Sequence, residues 1–480
     1  MPLKTTATAI TVLLLASGML SGCAVGPDYK RVPSETPAQY KNAQPQAQSA
    51  PAAPDAWWTL FGDPILDDLE RQVEVTNQNL KQADAAYRQA VAVVREQRAA
   101  FFPIVTLDAS GTRFGGGRST SSATLGGSSA NVPLAPGAAR QYQVSASASW
   151  ELDVWGRLRR SLENASETAH ASLADLAAAR LSAQGQLATA YLQLREADAE
   201  RRLLSATVQA YARTLEITRN RYAAGVAPRT DVLQAETQYY TAEDQEAALN
   251  LQRAQLENAI AALVGKPAGN FTLAQREEWN IPVPEIPAGV PSSLLERRPD
   301  IVGAERRVAA ANATIGVQEA AYFPSLTLTG TYGFVSSTLS NLFQKANETH
   351  TIGLSAAQTV LDFGATRARV SAARAAYDQT VAAYRQTILT AFQDVENDLV
   401  SADILAKEFE FRRQASEAAD LSEQLTLNQY KAGTVDYTTV VVQQAAALSA
   451  RRSLAQIALS RQTSAVSLVT DLGGGWTAAK

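Results

Sequence analysis

One cysteine and two histidines set the limits of the chemistry this chain can do. Cys23 is the lone thiol, and His170 and His350 are the only imidazoles in 480 residues. A single thiol can be modified but cannot form an intrachain disulfide, and no His/Cys metal cluster can be assembled from three such residues. A Ser-His-Asp site would have to use one of the two histidines. The glycine runs Gly115-Gly116-Gly117 and Gly473-Gly474-Gly475 lack the strand-to-helix setting of a phosphate loop. Net charge is −4 and no Lys/Arg run marks a nucleic-acid face. These residues predict a non-enzymatic chain with no cofactor other than a possible covalent group on Cys23.

The position of that cysteine says what the group would be. Lys4, an apolar run from Ala9 to Leu20 and then small residues make a secretory signal, too short to cross a membrane. It ends in Leu20-Ser21-Gly22-Cys23, which resembles the lipobox of bacterial lipoproteins. The resemblance implies cleavage before Cys23 and lipidation of its thiol, palmitate included. Several acyl chains, at roughly 0.8 kcal/mol per buried CH2, make a durable anchor. An ordinary signal peptide with an incidental cysteine is the other reading. Ala24 stands where an inner-membrane retention signal carries aspartate, which favours the outer membrane. Residues 24–56 are rich in Pro, Ala and Gln and should lie extended along the rest, with Trp57-Trp58-Thr59-Leu60-Phe61 as the docking point.

What must position such a tail is a pattern that occurs twice. Ala100-Phe101-Phe102-Pro103 opens one copy and Ala321-Tyr322-Phe323-Pro324 the other. Leu152-Asp153-Val154-Trp155-Gly156 is matched by Leu361-Asp362-Phe363-Gly364, and Arg221-Tyr222-Ala223-Ala224-Gly225 by Gln429-Tyr430-Lys431-Ala432-Gly433. Gly156 to Gly225 and Gly364 to Gly433 are both 69 residues, and each copy closes 40 residues later, on Gly265 and Gly473. Spacing held over apolar-periodic stretches marks rods, whose length matters, rather than loops. The period predicts a helix from Pro64 to about Ala100 and a long helix after Gly156. Leu187, Tyr191 and Leu194 keep coiled-coil steps, as do their partners Val395, Leu399 and Ala402. Gly225 with Pro228, and Gly433, break the rods, so each copy carries a long helical hairpin.

Between the helices the period falls to two. Tyr142, Val144, Ala146, Ala148 and Trp150 alternate with Gln141, Gln143, Ser145, Ser147 and Ser149. Val105, Leu107 and Ala109, then Leu326, Leu328, Tyr332 and Phe334, then Ile352 and Leu354 behave alike. Each copy thus inserts one hairpin of about ten-residue strands, a length that suits an outer-membrane strand. A soluble half-buried sheet has the same alternation. Four strands cannot close a barrel, and an open edge cannot sit in lipid, so a membrane reading requires several chains. The linkers Phe114 to Arg140 and Ser336 to Glu348 read as exposed loops, and the first is the longer.

In order and number, these motifs make the chain similar to the outer-membrane factor family, the TolC-like efflux and secretion ducts, in the lipoprotein branch typified by OprM. The resemblance rests on Cys23 with Val25-Gly26-Pro27-Asp28-Tyr29, Trp57-Trp58 with Phe61, Asp63 and Pro64, and Trp150-Glu151-Leu152-Asp153 with Trp155-Gly156-Arg157. Arg297-Arg298-Pro299-Asp300-Ile301 and Leu472-Gly473-Gly474-Gly475-Trp476 complete it. It implies a mostly α protein with a β-barrel part: a homotrimer whose twelve strands, four per chain, form an outer-membrane barrel continued by an α-helical coiled-coil periplasmic tunnel. Partners implied are outer-membrane lipid, a periplasmic adaptor (membrane fusion protein) and an inner-membrane transporter of the RND type, with no nucleic acid.

The same resemblance places the periplasmic tip at the turns of Gly225 and Gly433. Positions matching the tip and its gate are Tyr222, Thr230 and Asp231 in the first copy and Tyr430 and Asp436 in the second, with Arg229 as a charged partner for the aspartates. Threefold symmetry would make Asp436 a ring of carboxylates. Asp231 and Asp436 as plain helix caps is the competing reading. Some members carry an aspartate where this chain has Thr439. The expected organisation is 1–22 signal peptide, 23–62 lipidated tail, 63–280 first repeat, 281–476 second repeat and 477–480 tail. Function reads as the exit duct of a tripartite efflux pump for small molecules such as drugs. A lipid-anchored periplasmic scaffold and a protein-secretion duct are the alternatives.

Overall fold

The equal glycine spacing is matched by equal helices. In the computed structural model, which describes residues 24–41, 56–114, 120–125, 128–133, 139–276, 279, 281–286 and 296–476, α3 (Arg157–Ala223) and α6 (Ala365–Lys431) have 67 residues each. Their return helices α4 (Arg229–Leu263) and α7 (Tyr437–Asp471) have 35 each. At 1.5 Å per residue the longer pair each run about 100 Å. Shorter helices are α1 (Pro64–Thr76), α2 (Gln78–Ala99) and α5 (Pro299–Ala320). Among the described residues no helix is long and apolar enough to cross a membrane. The chain divides into two compact units.

The first unit takes the described residues up to Arg31, with Gln89–Ala169 and Arg307–Val381. Its centre is an antiparallel sheet of β1 (Ile104–Phe114), β4 (Ala139–Leu152), β5 (Ser325–Ser336) and β6 (Glu348–Ala357), in the order β1-β4-β5-β6. The register aligns the alternation of all four strands. Thr106, Ser147, Thr331 and Thr351 lie in one row, while Val105, Ala148, Gly330 and Ile352 lie in the next. One face is therefore apolar and the other small and polar, and both sheet edges are open. Inside the segment expected to be loop, β2 (Thr120–Leu125) and β3 (Ser128–Pro133) form a further hairpin. The Ser336–Glu348 linker holds two short 3-10 turns.

Each long helix begins on an aspartate. Asp153 accepts from the amides of Leu158 (2.9 Å) and Arg159 (3.0 Å), and Asp362 accepts from Gly364 (2.9 Å) and Thr366 (2.7 Å). These bonds satisfy amides that a helix start leaves free. The tail after residue 23 is strapped to this end. Val25 N donates to Trp155 O (2.9 Å), and buried Arg160 donates to Val25 O, Gly26 O and Asp28 Oδ1. Gly26 lies so close to the backbone of Gly316 that a side chain on it would collide.

The second unit takes Val32–Arg88, His170–Arg306 and the residues from Ala382 onward. Its core joins Trp57 and Phe61 with Leu66, Leu69 and Val73 of α1, Leu187, Tyr191 and Leu194 of α3, and Val466 and Val469 of α7. The docking point read from the sequence is thus a buried turn, Trp57–Phe61. Tyr191 adds a polar tie, donating to Asp63 Oδ2 at 2.6 Å while Asp63 caps α1. The matching seam of the second copy is barer: Val395 is buried, Leu399 half-buried and Ala402 exposed. Arg298 reaches Asp300, Asp394 and Asp471, tying the start of α5 to α6 and α7.

One expected helix is two. The 64–100 rod breaks at Asn77, whose Oδ1 accepts from Asn79 and Leu80 while its Nδ2 donates to Leu263 O (2.8 Å). A cap that also satisfies a carbonyl of another helix outweighs the continuous apolar period.

Candidate functional site at the two helical turns

The two long helices end the same way. Gly225 (φ 74°) donates to Tyr222 O at 2.9 Å and Val226 to Arg221 O at 3.0 Å; Gly433 (φ 77°) donates to Tyr430 O and Thr434 to Gln429 O, both at 3.0 Å. This paired 5→2 and 6→1 bonding is a Schellman end, and it puts the glycine in the left-handed region that side chains resist. Nothing lies within 4 Å of a Cβ built on either glycine, so the backbone angle alone demands the residue type.

Restart of the chain differs. Asp436 is the N-cap of α7, and its Oδ1 accepts from Thr439 N (2.9 Å) and Thr439 Oγ1 (2.6 Å). Those bonds favour the charged form and hold its carboxyl below the usual range. In the first copy the N-cap is Pro228, with no side-chain bond, and Asp231 lies within the first turn of α4. Burial, then the nearby Asp436 charge, pushes the Asp231 carboxyl up, against the pull of Arg221. The plain-cap reading therefore describes Asp436 and not Asp231.

The arginine that reaches this cluster is Arg221 rather than Arg229, which is exposed along with Thr230. Arg221 Nη1 donates to Tyr430 O at 3.0 Å, and its guanidinium carbon lies 4.6 Å from the centre of the Tyr430 ring. Tyr430 in turn stands 5.4 Å from Tyr437. These rings are buried with Leu215, Ala235 and Val440, so the two turns are packed together within one chain. Tyr222, which matches Tyr430 in the repeat, is 47% exposed where Tyr430 is 2%. The sequence reading assigned no role to Arg221 or Tyr437 and took Thr439 only as a departure from the family pattern. Arg221 stands directly before Tyr222 in the repeated motif, and Thr439 three residues after an aspartate fits a cap, so both signals were available.

Cys23, the expected lipidation site, lies outside the described residues. Among the described residues no group of His, Cys, Asp and Glu could hold a metal ion. The arrangement at the turns sets the charges of Asp231 and Asp436 near one another and clamps one hairpin to the other through Arg221 and Tyr430.

Comparison with known proteins gives three concordant results. A family model described as outer membrane efflux protein matches residues 69–266 and 290–474. The pyoverdine export outer membrane protein OpmQ of Pseudomonas aeruginosa is 31% identical over 420 residues, covering 88% of this chain and 87% of its own. The toluene efflux pump outer membrane protein TtgC of Pseudomonas putida is 31% identical over 475 residues, covering 97% and 95%. Among solved structures, the outer-membrane channel OprN superposes with a TM-score of 0.85 at 29% identity, over 95% of this chain and all of the other.

Proposed function

This chain belongs to the outer membrane efflux protein family, and on that premise we propose that three copies form the exit duct of a tripartite efflux pump. Outer membrane efflux is the family's activity, and its relatives here are channel proteins. Each copy would give four strands to a twelve-stranded barrel and two helical hairpins to a periplasmic tunnel. The observation that carries this reading is the sheet: four strands with one apolar face and two open edges, a piece that lipid tolerates only when closed by other copies. Twelve strands leave a passage where eight would be filled by side chains. An inner-membrane transporter of the RND type and a periplasmic adaptor would supply small molecules. Pyoverdine and toluene, named for OpmQ and TtgC, are the kind of cargo such a duct carries.

Lipidation of Cys23 fits the strap. The residues just behind it, Val25 to Asp28, are bonded to Trp155 and Arg160, so the lipid would be tied to the unit that holds the sheet. Replacing Cys23 by Ser should leave a folded, unanchored protein, and palmitate label entering that variant would refute the assignment.

The turns at Gly225 and Gly433 are the gate and adaptor-facing tip in this reading, with Asp231 and Asp436 as its charges and Tyr222, Arg229, Thr230 and Tyr430 around them. Copies arranged about a threefold axis would bring these carboxylates into rings that constrict the mouth and favour cations. Contact with the adaptor would shift a closed resting state towards open. The test is single-channel conductance in a planar bilayer. Asp231→Ala with Asp436→Ala should raise it, and an unchanged closed-state conductance would remove the gate from these residues.

A further inference from the structure

One helix joint is built twice in this chain, once apolar and once acidic. In the first copy Leu187 of α3 packs in one cluster with Ile260 and Val264 at the end of α4. In the second, Val395 of α6 packs with Leu468 and Leu472 at the end of α7. Each of these residues stands 208 positions after its counterpart, the spacing that also separates Gly225 from Gly433 and Gly265 from Gly473. The bond closing the joint corresponds too: Asn77 Nδ2 donates to Leu263 O (2.8 Å), and Arg298 Nη1 to Asp471 O (3.4 Å). Two positions break the match. Ala190 and Leu263 pack against the apolar cluster of the first joint, and Asp398 and Asp471 stand in their places in the second.

These two carboxyls meet. They lie within hydrogen-bonding distance of each other, and Asp398 Oδ2 is buried with no donor on it. Positive charge beside them is shared. Arg298, just ahead of α5, has its Nε 3.1 Å from both oxygens of Asp300. Its Nη2 is 3.4 Å from Asp394 Oδ2 and its Nη1 3.5 Å from Asp471 Oδ1, so none of these contacts goes to Asp398. Arg297 and Glu396 also border the seam and act on Tyr40, which is buried beside Val395. Four carboxyls thus crowd one guanidinium, and two acid groups in contact can be joined only by a proton. Apolar side chains fill the same place in the first joint, so the fold does not need charge there.

We propose that Asp398 and Asp471 form a proton-binding latch between α6 and α7. Asp398 keeps its proton and donates a hydrogen bond to the charged Asp471, which closes the seam. When that proton passes to water, two carboxylates face each other and the seam loosens. Burial, then the bond to Asp471 and the charges of Asp471 and Asp394, push the Asp398 carboxyl up to about 8, against the pull of Arg298. Burial raises Asp471 as well, while Arg298 and the bond from Asp398 hold it down, so the proton rests on Asp398. The folded value is the raised one. The latch is therefore whole below the ordinary carboxyl range and is lost as pH rises through about 8. The inference rests on packing within one chain and is independent of the duct reading.

Amide exchange of the purified full-length protein, corrected for intrinsic rates and followed across this pH range, tests the latch at residues 468–472. One proton lost per opening predicts exchange there rising by up to about tenfold per pH unit. Asp398→Asn keeps a donor towards Asp471 that cannot ionise, and should remove most of the rise. Asp398→Ala with Asp471→Leu gives the second joint the residues of the first, and should also remove the rise while the fold stays intact. Wild-type exchange that is flat with pH at these residues would overturn the latch. So would a rise that persists unchanged in Asp398→Asn.

Discussion

The turns at Gly225 and Gly433 share a backbone and differ in nearly every side chain that matters. Both end a 67-residue helix in a Schellman bond pair around a left-handed glycine. Position for position, Arg221 faces Gln429, Pro228 faces Asp436 and Asp231 faces Thr439. The tyrosines agree in type yet differ in exposure: Tyr430 is buried beneath Arg221 of the same chain, and Tyr222 is open. In the proposed duct both hairpins would have to reach equally far, which accounts for the kept backbone. The side chains have diverged because, in one chain, one turn presents a clamp and the other receives it. In the proposed trimer, the chain would contain one complete joint and two halves of another.

Removing the clamp should give the largest asymmetry. Arg221→Ala loses a charged hydrogen bond and a cation–π contact, together on the order of 1–3 kcal/mol. Hydrogen exchange should accelerate around Tyr430 and Tyr437, whereas Gln429→Ala should leave both turns near wild type. Equal effects would erase the distinction between clamp and receiver. A smaller asymmetry is expected from the caps. Asp436→Ala strips the amide and hydroxyl of Thr439 of their acceptor and should speed exchange in the first turn of α7, while Pro228→Ala, where no side-chain cap exists, should do little.

Acid should move the two turns in opposite directions. The Asp436 carboxyl is held below its ordinary value, so its contribution is present above that value and is lost as pH falls through the lowered one. The Asp231 carboxyl is held above its ordinary value by burial and by Asp436, so its ionisation opposes folding. That penalty is relieved as pH falls through the raised value. Exchange corrected for intrinsic rates should therefore rise at the start of α7 and slow at the start of α4 on acidification. Parallel changes would mean that the two charges are not in distinct settings. Gly225→Ala and Gly433→Ala should show no difference at all, each losing about 1 kcal/mol to the left-handed angle. Unequal losses would show that the backbones are not equivalent.

Much of this was legible in the sequence wherever one residue type has one physical use. Glycines that end helices with a left-handed angle gave the hairpins, and strict alternation gave the four long strands and their faces. What the sequence hid depends on a neighbour brought in from far along the chain. Asn77 interrupts a helix whose apolar period runs straight through it, because its side chain finds Leu263 O. Arg221 rather than Arg229 clamps Tyr430 because α6 passes beside the end of α3, which spacing does not reveal. The same holds for Arg160, which is read as an ordinary helix residue until Val25 to Asp28 lie against it. The β2–β3 hairpin was masked by Gly/Ser composition, although Gly126-Gly127 between two short runs is a hairpin signal.

The exposure of Tyr222 in the assembled protein tests the half-joint account most directly. Cysteine placed by Tyr222→Cys or by Tyr430→Cys can be labelled with a membrane-impermeant maleimide in detergent-purified assemblies, then again after denaturation. Both positions should be protected in the assembly and both labelled once unfolded, because in the proposed trimer the neighbouring copy would cover Tyr222 as Arg221 covers Tyr430 within the chain. Labelling at 222 as fast in the assembly as in the denatured chain, with 430 still protected, would contradict it.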